Sequence, residues 1–161
     1  MENEKLIEEK LRTEDALKNG AGWFYWIAGL SLINSLLVFF DSDWGFIAGL
    51  SITQIIDYTA YYLSLEFGSI VSIIGLILNF VIIGIFVILG VFANKGRNWG
   101  FIVGFVLYGL DTLLLVFMDD PFISVAFHLF ALYSIFRGYQ ANKQLREIIS
   151  NIDTQESIEL N

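Results

Sequence analysis

The sequence has no cysteine, one proline and one histidine among its 161 residues. Without cysteine there can be no disulfide framework, thiolate metal site or cysteine nucleophile. The lone histidine and scattered carboxylates make no recognisable zinc set, which takes three or four nitrogen or sulfur ligands. Basic residues are scarce too, with nine Lys and Arg against 17 Asp and Glu and a net charge of -8. Nucleic-acid binding wants Lys and Arg clustered on one face, so no nucleic-acid partner is expected. A Gly-x-Ser-x-Gly elbow is also missing, and Phe67-Gly68-Ser69-Ile70 lacks the Gly-x-Ser-Gly pattern of a rhomboid-type protease. A hydrolase would need a triad assembled in space with no local motif to announce it. The expectation is a non-enzyme with no catalytic residue, metal or cofactor.

Apolar surface is what the chain has in abundance. It is 56% hydrophobic and 16% aromatic, with a mean hydropathy of +0.65, too apolar for a soluble domain of this size. Ala21 to Phe40, Ser69 to Ala93, Asn98 to Met118 and Pro121 to Gln140 each approach the roughly 20 residues that a helix needs to cross a bilayer. They contain no Lys or Arg before Arg137. Pro121 stands where a helix start tolerates proline. The predicted class is an all-α integral membrane protein: a membrane helical domain over residues 21–140, a cytoplasmic amphipathic segment over 1–20 and a cytoplasmic tail over 141–161. Residues 1–20 mix acidic and basic side chains before an apolar run of full membrane length, which reads as an uncleaved signal anchor.

Loops flanking membrane helices keep Lys and Arg in the cytoplasm. Lys5, Lys10, Arg12 and Lys18 precede the first run, Lys95 and Arg97 lie between the third and fourth, and Arg137, Lys143 and Arg146 close the last. The turns at Asp41 to Asp43 and at Asp119 to Asp120 have none. If every basic group is cytoplasmic, both termini are cytoplasmic and an odd number of crossings separates Asp43 from Asn94. That interval holds two apolar runs, so one should fail to cross. The weaker is Trp44 to Leu63, where Gln54, Asp57 and Tyr61 share a stripe at helical spacing. The expected architecture is therefore four transmembrane helices plus one outer amphipathic helix, either interfacial or re-entrant. Five full crossings, with Lys95 and Arg97 or the N-terminus outside, are the rival.

Ionisable groups inside a bilayer are expensive, face the bundle and carry a functional hypothesis by default. Asp111 and His128 lie eight or nine positions either side of the Asp119-Asp120-Pro121 turn, so each should sit about 12 Å below the outer surface and within reach of the other. Asn34 falls roughly 9 Å deep on the same count. Asp57 and Gln54 join this layer if their segment dips inward, and Asn79 is expected deeper, near the middle of its helix. Small residues share these faces, among them Gly100, Gly104, Gly75, Ser31, Ser35, Ser124 and Ala131, as close helix approach requires. Two readings compete for the layer Asp111, His128, Asp57, Asn34, Gln54 and Asn79. One is a proton or cation relay in which a carboxylate tunes the imidazole. The other is helix glue, worth about 0.6 kcal/mol for each buried hydrogen bond.

Trp23, Trp26, Trp44 and Trp99 fall at predicted boundaries, as an interfacial belt does. Leu6, Ile7, Leu11 and Leu17 at one end, and Leu145, Ile148, Ile149 and Ile152 at the other, recur at helical spacing. These two cytoplasmic faces suit pairing with each other, the membrane surface or a partner. The stretch from Asn94 to Ala141, with Lys95-Gly96-Arg97-Asn98-Trp99, Asp111, His128 and Phe136-Arg137-Gly138-Tyr139, resembles small multi-pass bacterial membrane proteins, as does Leu50 to Asp57. The resemblance implies a bacterial membrane and no activity. Two functional expectations follow: a scaffold or regulator of a membrane partner, alone or as a homo-oligomer, and a small transporter or channel subunit that moves protons or a small cation through Asp57, Asp111 and His128.

Overall fold

The computed structural model describes residues 2–40, 42, 49–117 and 122–159, and every element in them is a helix. These are α1 (Glu2–Phe39), α2 (Ser51–Phe67), α3 (Ile70–Asn94), α4 (Asn98–Phe117) and α5 (Phe122–Glu159). Four of them, all but α2, are long and apolar enough to cross a membrane. The expected class and helix number hold. Asp41, Asp43, Trp44 and the Asp119 to Pro121 turn lie outside the described residues.

Close contacts set the helix directions. A Cβ on Gly90 would meet Phe24 and Tyr25, and Asn79 donates to Ser35, so α3 runs antiparallel to α1. A Cβ on Gly104 would enter the Phe24 ring, which puts α4 parallel to α1. Gly20 and Gly138 cross so tightly that a Cβ on Gly20 would lie 2.4 Å from the Gly138 Cα; only glycine lets the α1 and α5 backbones meet there. The buried face of α4, Gly100, Phe101, Gly104, Tyr108, Asp111, Thr112 and Leu115, follows the spacing of three and four that a core-facing helix shows. On α5, Ser124, His128, Ala131 and Ile135 do the same.

Two helices run far past the bundle. At 38 residues each, α1 and α5 are about 57 Å long, nearly twice the bilayer core. They pass without a break through residues 20 and 140, and beyond the bundle they continue as an antiparallel pair. Leu17, Ala141 and Ile148 are buried in it, and Gln144 donates to Glu9. The α3–α4 turn is tied to the same pair: Arg97 N–H bonds Phe92 O and Gly96 N–H bonds Ala93 O, a Schellman closure. Asn142 and Arg146 of α5 donate to the Gly96 carbonyl. Trp23 packs edge-on against Phe127 and Phe130, which makes it part of the α1–α5 contact rather than a simple boundary anchor.

The helix α2 differs from the expected element in its start. It begins at Ser51, not Trp44, after Gly49 at φ 143, a conformation that suits glycine alone. A Cβ there would lie 3.3 Å from Ser31 Oγ. Ser31 stands eight residues before the end of α1, so α2 starts about 12 Å inside the bundle and runs back out beside α1. This is re-entrant geometry, not interfacial.

Candidate functional site

A helix that starts inside a bundle leaves its first four N–H groups without intrahelical partners, and in hydrocarbon each unsatisfied group costs several kcal/mol. The cap residue of α2, Leu50, has no side chain able to help. Partners come instead from other helices. Leu50 N–H donates to Ser31 Oγ of α1 at 2.7 Å, and Ser31 Oγ in turn donates to Ile27 O. Ser51 and Ile52 N–H donate to the two oxygens of Asp111 of α4, each at 2.9 Å. Asp111 thus caps α2 from a distance of some sixty residues in sequence, with its negative charge at the positive end of the helix dipole.

His128 completes this station. Its Nε2 lies 3.5 Å from Asp111 Oδ2, the meeting expected from their positions around the α4–α5 turn. Its Nδ1 is 2.8 Å from Ser124 O. A carbonyl only accepts, so Nδ1 carries a proton. Nε2 faces the carboxylate at that 3.5 Å separation and is buried without a hydrogen-bond partner. Tyr108 stacks on the imidazole with ring centroids 5.0 Å apart, a face that favours a cation.

A second station lies about one turn further out. Asp57 of α2 accepts from Ser35 Oγ and Asn79 Nδ2, each at 2.7 Å. Asn79 Nδ2 also approaches Ser35 Oγ and Thr53 O, and its Oδ1 is buried with no hydrogen-bond partner. Asn79 is not deeper than Asp111, as expected, but beside Ser35, because α3 starts beyond the end of α1 and enters from higher up. Above Asp57 a cleft of about 300 Å³ is lined by Val38, Phe39, Tyr61, Ser64 and Ser72 among others, residues near the bundle end away from both termini.

The two carboxylates differ in charge balance. Asp111 has an imidazole and two backbone donors. Asp57 has only neutral donors, each worth about 1.5–3 kcal/mol as a bond to a charged group, against a desolvation cost of several kcal/mol. Lys and Arg are absent from 19–94, which covers the membrane portions of α1 and α3 and all of α2. Of the other expected layer residues, Asn34 is buried on α1 beside Gly49. Gln54 is half-buried and, among the described residues, bonds to neither carboxylate. Ser31, Ser35, Ser51 and Thr53 complete the stations. Ser31 and Ser35 are visible in the sequence only as small residues near Asn34. Among the described residues no three His, Asp or Glu side chains form a metal-binding group. Searches against protein-family models, curated proteins and solved structures give no match to this chain.

Proposed function

We propose that this chain is a non-enzymatic, multi-pass protein of a bacterial cell membrane, with both termini cytoplasmic, that scaffolds or regulates a membrane partner through the paired ends of α1 and α5. The observation that carries this reading is the pair itself, which projects about 27 Å past the membrane level and is tied by Asn142 and Arg146 to the α3–α4 turn. Ile7 and Leu11 lie four residues apart on it and are 57% and 56% exposed, a small apolar stripe suited to another helix, either a partner's or a second copy's. Lys95, Arg97 and the seven other basic residues, all at this end, support its cytoplasmic placement.

The test has two arms. Single cysteines at Lys95 and Glu4 should be shielded from an impermeant reagent applied outside cells, while one at Glu66 should react; reaction at Lys95 overturns the topology. A photo-crosslinking residue at Ile7 should give a discrete adduct in native membranes that Leu11→Lys removes.

A small transporter or channel subunit is the second reading, favoured by the re-entrant α2, since half-helices ending near the midplane line the substrate sites of many transporters. Proteoliposomes carrying the chain should leak neither protons nor sodium above empty vesicles if the scaffold reading holds. Flux that Asp57→Asn abolishes would replace it.

A further inference from the structure

Asp57 presents a charge problem that the fold leaves open. Its carboxylate is 6% exposed, yet among the described residues the groups that donate to it are neutral. From α1 it meets Ser35, and from α3 Asn79. On α2 itself the nearby titratable groups are the phenols of Tyr58 and Tyr61. From α4, Asp111 meets α2, among the described residues, at Ser51 and Ile52, one to two turns below, and the single histidine lies against Asp111. A buried carboxylate so placed calls for a positive charge from outside the chain.

The surroundings say which kind. The cleft above Asp57, about 300 Å³, has room on the order of ten waters and gives a route in. The carboxylate is held by Ser35 Oγ and Asn79 Nδ2, and the same cluster brings two further oxygens, Thr53 O, which accepts from Asn79, and the unpartnered, buried Oδ1 of Asn79. Oxygen donors suit a proton or a hard cation. One carboxylate suits a single positive charge, whereas divalent ions gather several. We propose that Asp57 is the neutralising site for a small monovalent cation, a proton or a sodium-sized ion, that enters through the cleft at the bundle end away from both termini. The site goes beyond the scaffold reading, because neutralisation is measured whether or not the cation crosses. Only its facing the outside rests on the proposed topology.

Infrared difference spectra of the full chain in detergent, wild type minus Asp57→Asn, test the site across pH in choline chloride and in sodium chloride. A protonated-acid carbonyl band that grows on acidification in both salts identifies the proton. A band that sodium suppresses and choline does not identifies a sodium-sized ion. Ser35→Ala removes a donor from the ionised form, so it should move the band's midpoint to higher pH; this variant also serves if Asp57→Asn does not fold. Ser72→Trp, which fills the cleft and leaves the partners of Asp57 in place, should abolish deuterium exchange of the band within the time wild type completes it. Wild-type spectra that match Asp57→Asn at every pH in both salts, or a midpoint that Ser35→Ala leaves unmoved, overturn the proposal.

Discussion

Asp111 and Asp57 are carboxylates of the same bundle, both nearly inaccessible, and one turn of helix apart in depth. Asp111 binds two backbone N–H groups and an imidazole; Asp57 binds a hydroxyl and an amide. The first is compensated by the protein and holds a helix in place. The second is held in place by neutral donors alone. Burial alone thus says little about what an intramembrane acid does; the charge and origin of its donors decide.

The largest effect should come from Asp111→Ala. It strands two buried N–H groups of α2, each costing about 1–3 kcal/mol when left without a partner. Thermal unfolding in detergent should register this loss, and a cysteine at Thr53, fully buried in the native chain, should become reactive as α2 leaves the bundle. Asp111→Asn should fall between this and wild type, because an amide offers one acceptor oxygen to two donors. A wild-type melting profile for Asp111→Ala would erase the distinction between the two acids.

His128→Leu comes next. It leaves the α2 cap intact but deprives Asp111 of its imidazole neighbour, which should cost about 1–3 kcal/mol. In the double variant Asp111→Asn, His128→Leu the two costs should sum to more than the measured loss, since each single change already breaks their contact. Additive costs in that cycle would show that the pair is not coupled.

Asp57→Asn should be the mildest, within about 1 kcal/mol of wild type, the scale of a single buried hydrogen bond in a membrane bundle. The amide oxygen still accepts from a donor and the uncompensated charge is gone. A loss as large as that of Asp111→Ala would mean that Asp57 is structural after all.

The meeting of Asp111 with His128 is legible in the sequence because a short turn between two antiparallel helices fixes depth by counting alone. Asp57 is legible as a polar residue on a helical stripe, but not its partners, which depend on how far its helix dips. Gln54 shares that stripe and stays outside both stations. The buried face of α2 instead runs through Ser51, Thr53, Asp57 and Ala60, because the close approach of Ala60 to Gly75 sets its rotation. The Gly20–Gly138 crossing leaves no sequence signal beyond two glycines 118 positions apart.

What the sequence determines by itself is what depends on neighbours along the chain: four apolar runs of membrane length, a fifth too polar to match them, and amphipathic ends that continue the first and last helices. Hydrophobicity and helical period are local, and the bilayer reads them one segment at a time. What the tertiary structure alone decides is where α2 begins and which acid caps it. A helix N-terminus can stand inside the bundle only where donors and acceptors from other helices converge, and here they come from Ser31 and Asp111, far from α2 in the chain and adjacent to it only after packing.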